Sequence, residues 1–411
     1  MRDTTTPTTS TTTPEVSEAV SETPMMLPRR TLLKGAAVAA GGAVAASVVA
    51  ATPAFARSRF QASNLHATAD SGTMSGMKTA QAASPASSGE PIPDGWTEHD
   101  VAAREKVRRF VGNLAKPLGM SDFVGEPVED PEFTKLIFGN QPLEPKVDGE
   151  FKVFDLTIDE IDWQIDAQMP PVKALGYNGT WPGPLLRVTQ GDKVRANFKN
   201  NLPETTAVHF HGVEFLDWYQ DGVPFVTQNP IKPGETYTYE FVAPNAGSMM
   251  YHSHHNATDQ VGRGLLGAFI VDPKDPAESY AAQGVTQEVI FIHNDSLGGF
   301  TINGHGFPGT APIVAHVGDK ILIRYMNEGV MMHPWHTHGF AQHIVARDGR
   351  PLGTAAFDCD TLGVNPGERY DAIVDCDRPG VWAFHCHILP HVEGLDGMYG
   401  MVTALVILPK E

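Results

Sequence analysis

The segment His385-Cys386-His387-Ile388-Leu389-Pro390-His391, followed by Gly397-Met398, determines how the rest of the chain is interpreted. If residues 384–387 form a strand, His385 and His387 point to one face of the sheet and Cys386 points to the other, so one segment can serve two metal sites. A thiolate, two imidazoles and a distant thioether are the ligands of blue copper, whereas a tetrahedral zinc site would require more thiolates or a carboxylate. We therefore predict a mononuclear copper site formed by Cys386, His391, Met398 and one further histidine.

Three further histidine motifs lie upstream of this segment. HPWHTHG at 333–339 supplies the missing ligand, His333, and an alternating His-x-His pair. HFHG at 209–212 and YHSH at 251–254 supply two more pairs, and the pair around Cys386 is the fourth. An isolated pair on an exposed strand usually binds nothing, but four pairs, one of them around a cysteine, favour a common metal cluster. Their eight imidazoles are enough to hold three copper ions.

The motifs HFHG, YHSH, HPWHTHG and HCHILPH resemble, in this order, the four copper motifs of the multicopper oxidases, laccase-like enzymes built from cupredoxin domains. The resemblance covers about residues 150–411 and includes the blocks WYQDGVP (218–224), TQNPI (227–231) and PGERYD (366–371). It implies four copper ions per chain: one of type 1, one of type 2 and two of type 3. The implied ligands are His333, Cys386, His391 and Met398 for type 1, His209 and His336 for type 2, and His211, His252, His254, His338, His385 and His387 for type 3.

Two of the implied site residues have alternatives. The loop after His391 is longer than the common family spacing, which would place Asp396 in the axial position; we assign Met398 because a thioether is the usual weak axial ligand. Asp221 matches an acidic residue that the family places near the type 2 ion, where water formation requires protons. The alternative is that Asp221 is a turn residue before Gly222.

The resemblance implies an oxidoreductase of the laccase type that uses dioxygen as acceptor. Phenols, aromatic amines or metal ions would give electrons one at a time to the type 1 copper, and Cys386 shares its backbone with His385 and His387, which shortens the route to the cluster. Dioxygen would be reduced with four electrons to water. One alternative is a copper nitrite reductase, whose family carries its blue copper in the first domain. The other is a nonenzymatic copper-binding or resistance protein, for which eight histidines would be excessive.

An internal repeat divides the chain into two domains. GDK (191–193) and HFHG (209–212) recur 127 residues later, and PGE (233–235) and YHSH (251–254) recur 133 residues later as PGE and FHCH. Apolar and polar residues alternate in runs such as 154–158 and 194–198, with Pro-Gly turns between runs. The predicted class is therefore all-β, with two cupredoxin-like Greek-key β-sandwich domains at 151–272 and 285–411 and a partly helical N-terminal extension at 96–150.

The repeat places the type 1 copper in the second domain only. The offsets carry His333, Cys386 and His391 back to Thr206, Ser253 and Thr258, so the first domain has kept its histidine pairs and lost the blue site. In two-domain members of the family, the cluster lies between the first domain of one chain and the second domain of the next in a homotrimer, and we expect the same here. A cluster within one chain is the alternative, which the short connection at 273–284 disfavours.

The N-terminal region is typical of an exported protein. A Thr/Ser/Pro-rich stretch, Arg29-Arg30, a weakly hydrophobic run and Ala54-Phe55-Ala56 predict a twin-arginine signal over 1–56 and hence a secreted, periplasmic or cell-envelope location. A membrane anchor is the alternative, but the glycines and alanines of the run disfavour it. Residues 57–95 predict a flexible linker. The helical spacing of Val107, Phe110 and Val111 predicts a helix that packs on the first domain, with a role in capping a subunit interface as the alternative.

Three smaller features complete the sequence-based expectations. The formal charge of -18 disfavours nucleic acid as a partner. Cys359 and Cys376 are candidates for a disulfide in an oxidising compartment, and the sequence leaves their pairing open. Met331 and Met332 precede a copper ligand; we expect them to pack in the core, with cuprous-ion handling as the alternative.

Overall fold

The computed structural model describes residues 92–126, 136–295, 299–394 and 397–410. The predicted export signal, nearly all of the predicted linker and Asp396 lie outside the described residues. Within these ranges, no helix is both long enough and apolar enough to cross a bilayer.

The described chain begins with a helical segment. It consists of α1 (Glu98–Val111), a 3₁₀ helix (Gly112–Leu118) and α2 (Ser121–Val124). Thr97 caps α1: its hydroxyl accepts the N–H of Asp100 at 3.3 Å, and the carboxylate of Asp100 accepts the N–H of Thr97 at 2.7 Å. Gly112, with a φ of 45°, ends the helix, because glycine adopts positive φ without steric cost.

Residues 146–272 form the first sandwich. Its elements are β1 (Lys146–Asp148), β2 (Phe151–Trp163), β3 (Val172–Tyr177), β4 (Leu186–Thr189), β5 (Lys193–Asn200), β6 (Val208–His211), β7 (Thr236–Val242), β8 (Gly247–Ser253), α3 (Ala257–Gln260) and β9 (Leu266–Asp272). One sheet has the order β1-β2-β5-β7, with β3 also on β2, and the other has the order β4-β9-β8-β6. Burial alternates along β5 and places Val194, Ala196 and Phe198 in the core, as the period of two predicts.

Residues 287–408 form the second sandwich. Its strands are β10 (Gln287–Asn294), β11 (Thr301–Ile302), β12 (Ile313–His316), β13 (Lys320–Asn327), β14 (His333–Thr337), β15 (Gln342–Arg347), β16 (Arg350–Pro351), β17 (Phe357–Cys359), β18 (Thr361–Val364), β19 (Arg369–Asp375), β20 (Gly380–Cys386), β21 (Glu393–Gly394), β22 (Gly397–Met398) and β23 (Val402–Leu408). One sheet has the order β11-β10-β13-β19-β15-β16, with β17 on β15, and the other has the order β12-β23-β20-β14-β18. The short strands β21 and β22 pair with each other.

The pairing of the strands repeats between the two sandwiches. The parallel pair β2 and β5 corresponds to β10 and β13, and the parallel pair β4 and β9 corresponds to β12 and β23. The antiparallel pair β6 and β8, which carries the first two histidine motifs, corresponds to β14 and β20, which carry the other two. The predicted all-β class with two β-sandwich domains is confirmed.

The two sandwiches pack against each other through an apolar cluster. Its buried members include Trp163, Trp181, Met250, Leu266, Ile270, Ile290, Ile292 and Met326. The indole N–H of Trp163 donates to the carbonyl oxygen of Gly304 at 2.8 Å. Gly304 has a φ of 78°, and a Cβ at this position would lie 2.2 Å from the carbonyl oxygen of Trp181, so only glycine fits the contact.

A buried polar network crosses the same interface. Arg324 of β13 donates to Asp371 of β19 at 3.1 Å and to the hydroxyl of Ser248 of β8 at 2.8 Å. The hydroxyl of Ser248 in turn donates to Asp371 at 2.5 Å. The side chains of Arg324 and Asp371 are 5% and 2% exposed. Because a buried charge without its partner is costly, this network ties the first domain to the second.

The helix α1 does not pack where the sequence predicted. Val107 and Phe110 pack against the core of the second sandwich, and the ring of Phe110 lies 4.9 Å from that of Phe307. The expectation that this helix covers the first domain is therefore wrong. Helical periodicity identifies the apolar face of a helix, but it contains no information about which surface that face meets.

Candidate metal centres

The mononuclear site predicted from the Cys386 segment is assembled in the second sandwich. Cys386 ends β20, His333 begins β14 and His391 lies in the 3₁₀ helix Leu389–His391. The Sγ of Cys386 lies 3.7 Å from the Nδ1 of His333 and 3.6 Å from the Nδ1 of His391. All three side chains are buried, so three ligand atoms converge on one point that is shielded from water.

The donor set of this site fits copper. Burial raises the pKa of Cys386 to about 11 and lowers the pKa of His391 to about 4. The imidazole is therefore already neutral, as a ligand must be, and the thiol loses its proton when a metal ion binds. One sulfur and two nitrogens match the preference of copper in electron-transfer sites.

The axial position is less closely defined. Met398 lies on β22, is partly buried and packs against the apolar core that contains Cys386. The alternative residue, Asp396, lies outside the described residues. Met398 therefore stays the predicted axial ligand.

The first histidine set consists of His209, His211, His252 and His254 and lies at one end of β6 and β8. His209 pairs directly with His252 across the two strands. The ring of His209 lies 5.4 to 5.6 Å from the rings of the other three. Burial lowers the pKa of His211 to about 3 and that of His252 to about 4, so both imidazoles are neutral and available as ligands.

The second histidine set consists of His336, His338, His385 and His387 on β14 and β20. His336 pairs directly with His385, and its ring lies 4.8 to 5.8 Å from the other three. The Nε2 atoms of His338 and His385 are 3.0 Å apart. His338 and His387 are exposed. His385 points away from the core that holds Cys386, as the alternation along a strand predicts.

Among the described residues, the ring contacts and hydrogen bonds between histidines of either set stay within that set. The structure therefore brings the eight histidines together as two groups of four on different domains.

Asp221 lies beside the first histidine set. The Nδ1 of His209 is 2.7 Å from the main-chain oxygen of Asp221 and 3.4 Å from its carboxylate. Asp221 also ends the 3₁₀ helix Trp218–Gln220 and precedes Gly222, which has a φ of 82°. The proton-supplying role and the turn role that the sequence left open are both compatible with this position.

A polar cluster fills the position in the first sandwich that corresponds to the mononuclear site. The Oε1 of Gln260 accepts the hydroxyl of Thr206 at 2.8 Å and the hydroxyl of Ser253 at 2.5 Å, and all three residues are buried. Thr206 and Ser253 are the residues that the repeat offset indicated. The third residue is Gln260, whereas Thr258 is exposed, so the offset is wrong at that position.

A cavity of about 400 Å³ adjoins the first histidine set and is also lined by residues of the second sandwich. Two of these residues are acidic, Asp295 and Glu328. Burial raises the pKa of Glu328 to about 8, and its Oε1 has no hydrogen-bond partner among the described residues. Sequence reasoning missed both residues. The available signal was their position directly after β10 and β13, because the carboxyl ends of two parallel strands meet at one edge of a sheet.

Asp295 also connects this cavity to the mononuclear site. Its side chain is fully buried, and one carboxylate oxygen lies 3.4 Å from the Nε2 of His333. The carboxylate accepts the N–H groups of Val330 at 2.6 Å and Met331 at 2.7 Å. Burial by itself would raise the pKa of Asp295, but the contacts with His333 and these N–H groups lower the pKa below its usual value. The carboxylate of Asp295 thus faces the Nε2 of His333, whose Nδ1 faces Cys386.

Two expectations about sulfur-containing residues can be compared with the structure. Met331 and Met332 are 38% and 44% exposed, so the expectation of core packing is wrong for both. Cys359 and Cys376 are free thiols, the first half-buried and the second buried.

This chain is similar in sequence and fold to several known proteins. Family models described as multicopper oxidase match residues 157–276 and 276–407. The structure of a blue copper oxidase from Nitrosomonas europaea is 35% identical, with a TM-score of 0.59, and the match covers 63% of this chain and 86% of that one. The structure of the multicopper oxidase mgLAC is 36% identical, with a TM-score of 0.59 and coverage of 63% and 87%.

The curated relatives that match this chain are longer proteins, and the match covers only part of their length. Laccase-15 from Oryza sativa subsp. japonica is 31% identical over 49% of this chain and 38% of its own length. The chain thus spans well under two thirds of this relative.

Proposed function

Because the chain belongs to the multicopper oxidase family, we propose that it couples one-electron oxidation of a small reductant at a type 1 copper to four-electron reduction of dioxygen to water at a three-copper cluster. The observation that carries this proposal is that the two faces of β20 present ligands to two different sites. Cys386 faces His333 and His391 inside the sandwich, and the adjacent His385 faces the second histidine set. A mononuclear site and a cluster site therefore share one strand.

Copper would supply the one-electron redox steps and the binding of dioxygen. The chain would supply the metal ligands, the covalent path between the sites and a carboxylate that holds protons. His333, Cys386, His391 and Met398 would hold the type 1 ion, and the main chain from Cys386 to His385 and His387 would provide a continuous covalent path to the cluster ligands. Asp221, whose carboxylate lies 3.4 Å from His209, would hold and pass the protons that water formation consumes.

We propose that the cluster forms between chains of a homotrimer. His209 and His336 would hold the type 2 ion, and the six remaining histidines of the two sets would hold the type 3 pair. The separation of the two sets within one chain supports this assembly. The segment beside the first set exposes a group of large apolar side chains, a common sign of a surface that another molecule covers. These side chains are Leu216 (87% exposed), Trp218 (56%), Tyr219 (55%), Phe225 (79%) and Val226 (67%).

We propose more than one class of reductant. Phenols and aromatic amines are the substrates that the laccase resemblance suggests. The exposed Met331 and Met332 stand two positions and one position before His333, so thioether side chains lie at the surface near the type 1 site and favour a metal ion as a further candidate. Export through the twin-arginine pathway is part of the same proposal, since it would deliver a folded, copper-loaded protein.

The nitrite reductase alternative has less support. That family carries its blue copper in the first domain, where this chain has Thr206, Ser253 and Gln260 in hydrogen-bonded contact. A nonenzymatic copper carrier would not need a cysteine site and two histidine sets on linked strands.

The test measures copper content, visible absorption and oxygen uptake of the purified mature protein with a phenolic dye and, separately, with nitrite. We expect four copper ions per chain, a blue band and oxygen consumption. Cys386→Ser should remove the band, whereas Cys376→Ser, a matched change at another buried thiol, should retain it. Light scattering should give the mass of a trimer. Two copper ions per chain with nitrite-dependent turnover would overturn the proposal.

A further inference from the structure

The helix α1 lies directly on the strand that carries the predicted axial ligand. Along α1, the residues Ala103, Lys106, Val107 and Phe110 are spaced by three and four positions and therefore form one stripe. At the C-terminal end of this stripe, Val107 and Phe110 pack on the core of the second sandwich. At its N-terminal end, Ala103 and Lys106 contact β22. One face of the helix thus joins the sandwich core to the axial strand.

The contact between α1 and β22 is close enough to restrict the main chain. A Cβ at Gly397 would lie 3.0 Å from the Cβ of Ala103, and Gly397 itself has a φ of 83°. The main chains of the helix and the strand therefore approach each other closely, with only the small side chain of Ala103 at the contact. The ammonium group of Lys106 donates to the carbonyl oxygen of Met398 at 3.5 Å. Met398, the predicted axial residue, is therefore held on one side by the helix.

The same short segment is held on its other side by the loop that carries His391 and by Phe307, which lies between β11 and β12. The N–H of Met401 donates to the carbonyl oxygen of His391 at 3.1 Å, and the N–H of Phe307 donates to the carbonyl oxygen of Gly400 at 2.8 Å. A Cβ at Gly400 would lie 2.4 Å from the carbonyl oxygen of His391. Residues 397–401 are thus clamped between α1 and the turn that carries His391.

From this geometry we propose that α1 belongs to the mononuclear copper site, with Ala103 and Lys106 as positioning residues that set how closely the thioether of Met398 approaches the metal. The inference rests on the proposed function, because it requires a type 1 copper at Cys386. The axial ligand of such a site is weak and long, so its distance is determined by the surrounding protein, and the reduction potential depends on it. The N-terminal extension therefore tunes the site at which electrons enter.

The test compares copper-loaded variants of the full chain. Ala103→Val inserts two methyl groups between α1 and β22, and Lys106→Met removes the donor to Met398 while keeping the length of the side chain. Arg104→Met is the matched control, because Arg104 lies on the same helix and its guanidinium stacks on Trp96, 5.1 Å from the ring centre. Lys106→Arg, which keeps a cationic donor, should restore the properties of the parent.

The readouts are the reduction potential, the ratio of the two thiolate-to-copper absorption bands and the copper hyperfine splitting. Outer contacts of metal ligands change metal affinity by about tenfold or more, and a tenfold change in the relative affinity for the two copper oxidation states shifts the potential by about 59 mV. We expect a shift of this order in Ala103→Val and Lys106→Met, and none in Arg104→Met.

Each other outcome has one meaning. Folded variants with a blue band but with the potential and spectrum of the parent would show that α1 only covers the core, and the inference would be wrong. If Ala103→Val fails to fold, Lys106→Met and its Arg104→Met control still decide the question. A parent protein with no blue band would refute the proposed function instead.

Discussion

Glu328 should make the copper-free protein less stable as the pH rises. Its carboxyl group is buried beside the cavity of the first histidine set, and burial raises its pKa from 4.5 to about 8 against the opposing charge of Arg369. Between these two pH values, the folded chain keeps a proton that the unfolded chain has released. The unfolded state therefore binds fewer protons, and the free energy of unfolding falls as the pH rises through this window. From pH 5 to pH 8.5, the two pKa values correspond to a loss of about 4 kcal/mol.

Glu328→Gln should remove this dependence, because the amide has a similar shape and carries no charge at any of these pH values. The assay is urea unfolding of the copper-free parent and variant at pH 5 and pH 8.5, since copper ions in the adjacent cavity would alter the same pKa. The difference between variant and parent should change by about 4 kcal/mol in favour of the variant at the higher pH. Glu278→Gln, the same change at an exposed position, controls for the loss of a glutamate. Parallel pH profiles for parent and Glu328→Gln would refute the reasoning.

Three further predictions concern the interior of the two sandwiches. Gln260→Ala should cost about 2–4 kcal/mol in urea unfolding, because the hydroxyls of Thr206 and Ser253 lose their shared acceptor; a cost below about 1 kcal/mol would mean that water replaces the amide. Asp371→Ala should cost about 1.5–3 kcal/mol, since Arg324 and Ser248 lose their shared buried carboxylate while Arg324 keeps its ion pair with Glu288 at 2.7 Å, and a double change to Arg324→Met with Asp371→Leu should recover most of the loss in thermal unfolding; no recovery would argue against the charge as the cause. Gly304→Ala should cost about 2–5 kcal/mol and increase hydrogen exchange along β10, because its Cβ would lie 2.2 Å from the oxygen of Trp181; unchanged exchange would show that the interface yields.

Much of the candidate site could be predicted from residues close together in the sequence. The two faces of His385 and Cys386 follow from strand alternation, and the structure has them on opposite sides of β20. The repeat offset identified Thr206 and Ser253 as the counterparts of His333 and Cys386. It failed at the third position because the two domains differ there in secondary structure: α3 follows β8 and brings Gln260 into place, whereas a 3₁₀ helix carries His391.

Other features depend on contacts between distant segments. Asp295 and Glu328 meet at one cavity because β10 and β13 run in parallel, and their pKa values shift in opposite directions because one carboxylate is hydrogen-bonded and the other is not. The exposure of Met331 and Met332 is a property of the loop before β14, which an apolar residue type does not reveal.

The sequence by itself determined the all-β class, the two related domains and the residues that surround Cys386, because alternation along a strand and the spacing of ligands are local properties of the chain. Only the tertiary structure decided that α1 lies on β22 rather than on the first domain, and that the two histidine sets occupy separate places in one chain. The physical reason is that an apolar face or an imidazole pair has the same local pattern whichever surface it meets. The partner is selected by the packing of the whole fold.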